Sequence, residues 1–171
     1  MRALLGSIPS GDMGVYATVE RMKQLVRTRM GTPAVRKVSV NIARDAGSKD
    51  GMAQAMAIRD WCEDHTFFIR DPHGMELLHD PILMLQVILR DGDIAVDCDD
   101  VALLAATLGK SVGLRARFVV VGFGSPTAPF QHIWTELSSP SGTPQWIHVD
   151  VTRYAQDALG SVITRKFITG V

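Results

Sequence analysis

The chain has 171 residues, 46% of them hydrophobic, with eighteen Lys and Arg set against eighteen Asp and Glu. That length and apolar content fill one core without disulfide or metal staples, so a single domain over 1–171 is expected. The balanced charge disfavours nucleic-acid binding, because the basic residues Arg21, Lys23, Arg27, Arg29, Arg36 and Lys37 are scattered rather than massed with aromatics.

The opening MRALLGSIPSGDMG is too weakly apolar for a secretory segment, and no window approaches the length of a membrane span. A soluble, cytoplasmic protein is the expectation, with residues 1–13 as a loose lead-in. From Val15 to Met30, apolar residues at steps of three and four predict an amphipathic helix ended by Gly31. Thr32-Pro33 restarts the chain as cap and first helical residue. Residues 33–44 fit a short helix, but VRKVSVNIA also alternates like a strand, and the two readings stay open. After Asp50-Gly51, MAQAMAIRDWCEDH is a helix that places Cys62 among apolar neighbours, as free cysteines often are.

TFFIRDPHG reads as a short strand with a turn at Asp71-Pro72, and Asp80-Pro81 caps the helix ILMLQVILRDG. Asp97 is a good N-cap for CDDVALLAATLG, with Asp100 placed to reach back to the first amides. RARFVVVGFG is a buried strand. QHIWTEL and PQWIHVDVT alternate on either side of SSPSGT and predict a hairpin. The tail with Tyr154, Phe167 and Ile168 is weakly patterned. Helices first, a central helix, then consecutive strands indicate an α+β fold with an antiparallel sheet.

Cys98 opens the central helix. The helix terminus favours a thiolate by roughly 0.3–1 kcal/mol, and the flanking aspartates oppose it by a similar amount, so the thiol needs a base. His132 is the candidate, sharing a strand face with Trp134 and Glu136. If the hairpin pairs across its loop, Asp150 falls beside His132 and can hold one ring nitrogen. His148 competes as a base but shares a strand with Asp150. His65, His73 and His79 have no metal-ligand spacing, and Asp91, Asp93 and Asp97 lack the EF-hand order, so neither metal nor cofactor is expected. With Cys62 and Cys98 as the only cysteines, a self-sufficient core and a reducing compartment argue against a disulfide, and no C-x-x-C pair supports thiol exchange.

The succession DCDDVALLAATLGKSVGLRARFVVVGF, QHIWTEL and WIHVDVT resembles the core of the transglutaminase-like superfamily, the papain-like thiol fold, over about residues 80–155, with 1–50 as an N-terminal helical extension. The resemblance implies a central helix packed on an antiparallel sheet, with Cys98, His132 and Asp150 as nucleophile, base and orienter. Val96 stands where the family often has Gly, and Val151 where it often has Pro. Small bacterial and phage-type members imply a peptidase or amidase acting on a peptide or protein through a thioester, rather than the larger cross-linking enzymes. Trp134, Asp97 and Asp99 are candidate substrate contacts, and the Cys98 backbone amide is the assigned oxyanion donor. The competing reading is a non-catalytic binding or phage assembly module that docks a protein partner through its N-terminal helices.

Overall fold

The computed structural model describes residues 11–47, 49–70, 77–151 and 162–171. The expected turn at Asp71-Pro72, most of the lead-in and Tyr154 lie outside them. Helix α1 (Asp12–Arg29) starts at Gly11, whose φ of 69° suits glycine, and carries Asp12 in its first turn and Arg27 and Arg29 in its last. Those charges oppose the macrodipole's partial charges at each end. Helix α2 (Pro33–Asp45) buries Val35, Val38, Ser39 and Ile42. That three-and-four spacing settles the ambiguity over 33–44. β-branched residues cost a few tenths of a kcal/mol each in a helix, and burying three of them as one stripe outweighs it.

Helix α3 (Gly51–His65) is capped by Asp50, which accepts from the Met52 and Ala53 amides. Helix α4 (Pro81–Asp91) is capped by Asp80, accepting from Ile82, and closes at Gly92 with φ 98°. Between them run β1 (Thr66–Phe68) and, beyond α4, β2 (Ile94–Val96). These pair in parallel as Thr66↔Ile94 through Phe68↔Val96. The pairing was not anticipated from the sequence, since three residues are too few to show a period.

Helix α5 (Cys98–Ser111) is the axis of the molecule, with every residue from Val101 to Leu108 buried. It packs against all four other helices and against β3 and β4, which explains an apolar run with no polar face. The main sheet has the order β5-β4-β3-β6, built from β3 (Arg115–Phe123), β4 (His132–Ser138), β5 (Ile147–Val149) and β6 (Ile163–Gly170). All its pairings are antiparallel. One sheet face rests on α5, where Thr135 Oγ1 donates to the Ala102 carbonyl at 2.6 Å. The other carries a small cluster of Val119, Val121 and Trp134. The tail is therefore a correction to its weak patterning: 163–170 form an edge strand paired with β3.

Gly122 makes a close approach possible. A Cβ there would lie 2.7 Å from the Pro129 carbonyl oxygen, so only glycine lets residues 128–131 run tightly back into β4 and deliver His132 to its place.

Candidate active site

Four segments meet at the N-terminus of α5. Asp97 has extended backbone and accepts the Asp100 amide at 3.4 Å, so Cys98 becomes the first residue of the helix. The β3–β4 register sets Val121 opposite His132, and the β4–β5 register sets Thr135 opposite Val149. Continuing that second ladder one step past Val149 sets Asp150 opposite Trp134; His132, two residues along the same face of β4, is its diagonal neighbour, and its Nε2 lies 2.5 Å from Asp150 Oδ2. Both side chains are buried, at 1% and 2% exposure. His148 stands 3.6 Å from the same carboxylate oxygen but is half exposed.

Cys98 is partly buried and reduced. Together with Asp97, Asp99, Gln131, His132 and Ile133 it lines a cavity of about 260 Å³, whose remaining wall comes largely from α1. A backbone hydrogen bond from Ile133 reaches the sulfur, which sets the thiol at the start of β4, one residue from His132. Cys98, His132 and Asp150 are thus brought to one end of α5. Trp134 lies behind His132, with ring centroids 5.9 Å apart, and stacks on His148 at 4.8 Å. Asp97 and Asp99 sit on the cavity wall beside the sulfur.

The electrostatics oppose a resting thiolate. Burial pushes the Cys98 thiol well above its ordinary value, the Asp99 and Asp97 carboxylates push it further, and Asp150 adds to them; the Ile133 hydrogen bond acts in the other direction. The sulfur is therefore a neutral thiol until a cation forms beside it. Cys62, wholly buried, is pushed up to about 12, chiefly by burial.

Asp100 departs from its expected role of reaching back to the helix amides. It is fully buried and accepts the His79 backbone N–H at 2.7 Å, while its other oxygen meets His79 Nδ1. Burial raises its pKa, against the opposing hydrogen bond from His79. The contact ties the segment before α4 to the start of α5 across 21 residues, and nothing in the local pattern of either segment announces it.

The sign of these fields gives a testable consequence. Asp99→Asn removes the strongest of the carboxylate charges opposing the thiolate, so the Cys98 pKa falls. Removing one unit charge beside a partly buried thiol favours the anion by on the order of 1 kcal/mol or more. Iodoacetamide labelling of Cys98 near pH 7, followed by mass spectrometry, should accelerate about tenfold, with Cys62 unlabelled in both proteins.

The sequence matches the transglutaminase-like superfamily over residues 37–151, from within α2 to one residue past Asp150. No curated protein and no solved structure matches the chain. Among the described residues, no helix is long and apolar enough to cross a membrane.

Proposed function

Because the chain belongs to the transglutaminase-like superfamily, we propose that it is a cysteine-dependent acyl-transfer enzyme that cleaves an amide in a peptide or protein through a thioester on Cys98. The observation that carries this reading is the short bond between His132 Nε2 and Asp150 Oδ2, made by a ring that lines the same cavity as the sulfur. A carboxylate on one ring nitrogen fixes the tautomer, orients the ring and stabilises the imidazolium that forms during the reaction.

The steps follow from that assignment. His132 Nδ1 takes the proton of the Cys98 thiol, and the resulting thiolate–imidazolium pair offsets the burial and the aspartates that oppose the anion. The sulfur attacks the scissile carbonyl carbon, and the carbonyl π electrons move onto oxygen. The oxyanion faces the Cys98 backbone N–H, one of the helix-start amides that no helical carbonyl can satisfy. His132 returns the proton to the departing nitrogen, the C–N bond breaks and an amine leaves. Water then attacks the thioester with His132 as base, and the acid is released with the thiol restored. An amine in place of water would complete transamidation by the same steps.

Incubation with a library of peptide electrophiles at neutral pH, read by mass spectrometry, tests this. A covalent adduct on Cys98 is expected. Labelling of Cys98 only above pH 9 or after unfolding would overturn the enzyme reading and favour a binding module.

A further inference from the structure

The cavity beside Cys98 has two unlike kinds of lining. The start of α5 contributes Asp97 and Asp99, and the entry to β4 contributes Gln131 and His132. The apolar lining comes from Val15, Val19 and Met22 of α1, interrupted by Thr18, with Val120, Phe130 and Ile133 of the sheet and its approach. Helix α1 lies wholly outside the family match, which begins at residue 37. The α1 part of this lining therefore lies outside the matched region, whereas Val120, Phe130 and Ile133 lie within it.

It is also a fixed wall. At one end of α1, Asp12 is paired with Arg165 at 2.6 Å; at the other, Arg29 is paired with Asp80 at 2.6 Å. Tyr16 packs on Phe167, with ring centroids 5.1 Å apart, and on Phe130 at 6.3 Å. Val19, Met22, Leu25 and Val26 belong to the main core. A helix pinned at both ends and rooted in the core does not swing like a lid, so the shape of the cavity is preformed.

We infer that α1 makes the acyl pocket of the enzyme, and that the preferred substrates are amides whose acyl-side residue carries an uncharged, branched apolar side chain about the size of leucine. This inference rests on Cys98 being the nucleophile. The acyl group is the part that stays on sulfur through both half-reactions, so it occupies the space adjoining the thiol. At about 260 Å³, that space is smaller than the ~300–1,000 Å³ that enclose a drug-sized ligand, so it takes one side chain and the scissile group rather than a length of peptide. The apolar wall rewards transfer of a hydrocarbon side chain from water. An acidic side chain would gain nothing from that hydrocarbon lining and would share the cavity with the Asp97 and Asp99 carboxylates.

N-acetyl-aminoacyl chloromethyl ketones carrying glycine, leucine, phenylalanine or aspartate side chains test this on the full chain. In each, the Cys98 sulfur displaces chloride and forms a thioether, read by intact mass. Each rate is divided by that of chloroacetamide on the same protein, so that thiol reactivity cancels. The leucine probe should exceed the aspartate probe by about tenfold or more. Val15→Phe, which adds bulk to the α1 lining, should bring leucine down towards glycine; Val15→Ala, which removes bulk there, should raise phenylalanine relative to leucine. Equal normalised rates for all probes, or ratios that neither Val15 variant changes, would overturn the pocket and leave the thiol reading standing. A Cys98 inert even to chloroacetamide at neutral pH would overturn both.

Discussion

His132→Ala should lower the rate of Cys98 alkylation by chloroacetamide at pH 7 by about 10²–10⁴-fold, the range that a positioned general base supplies. Burial, Asp99, Asp97 and Asp150 all raise the thiol's pKa, and the Ile133 backbone hydrogen bond is the opposing influence. One hydrogen bond does not balance desolvation plus three carboxylates. An imidazolium adjoining the sulfur does, because opposite charges in contact at a partly buried site are worth several kcal/mol. Removing the ring therefore leaves a thiol that ionises only in alkali. The pH profile carries more information than the rate at one pH. The parent protein should label across the neutral range, and the variant should label only as pH climbs past the ordinary thiol value. His132→Gln separates chemistry from packing, since it fills the buried site with a polar group that cannot take up the proton. It should follow the alanine variant in profile while melting closer to the parent. Identical profiles for all three proteins would remove His132 from the mechanism.

The parts of this site that a sequence can express are those governed by local rules. An aspartate before an apolar run marks a helix start whatever the rest of the chain does, and so Cys98 was placed on the first turn of α5. Alternation on both sides of SSPSGT gave a hairpin, and a hairpin's mirrored positions gave the approach of Asp150 to His132. The α+β order followed from the segregation of helical and alternating periods. What escaped was either too short or too distant. The short strand at TFF was legible, but three-residue β2 shows no period, and nothing local announces its parallel pairing with β1. Strand β6 reads ITRKFITG, and as an edge strand it is half exposed along most of its length, so its charged residues mask the alternation. Residues 33–44 have both periods, and only the packing of α2 against α5 and α3 selects the helix.

Tertiary partners are the deeper omission. Periodicity identifies the face of α1 that is buried but not what it is buried against, so the amphipathic helix suggested a docking surface for a partner. In the folded chain that face packs on α5 and walls the cavity beside the sulfur. The same holds for Asp100. Its position suits a helix-start carboxylate, and burial turned it inward to His79, because an isolated carboxylate at zero exposure is too costly to keep without donors.

Asp150→Ala should reduce both activity and stability, and the two losses have separate causes. The carboxylate is 2% exposed and bonded to a ring that is 1% exposed. Deleting it strands a buried ring N–H, which costs about 1–3 kcal/mol, and up to about 5 kcal/mol if the pair is ionised in the folded state. A lower melting temperature is the readout. Activity should fall by about 10²–10⁴-fold because the ring loses the partner that sets its tautomer and orientation. Asp150→Asn divides these contributions. An amide oxygen still accepts from Nε2–H, so orientation and most of the stability survive, but the charge that favours the imidazolium is gone. The charge also acts on the sulfur directly, where its removal helps the thiolate. That effect is the smaller, since Asp150 is the last of the influences on Cys98 whereas it touches His132 at 2.5 Å. The net result should be a rate between the parent and the alanine variant, with the neutral limb of the pH profile moved to higher pH. His148→Ala, which removes a half-exposed ring 3.6 Å from the same oxygen, should change the rate by no more than about twofold, as exposed pairs do. If His148→Ala matched the loss of Asp150→Ala while His132→Ala did not, the base would be His148, and the proton path would have to run along β5 instead of β4.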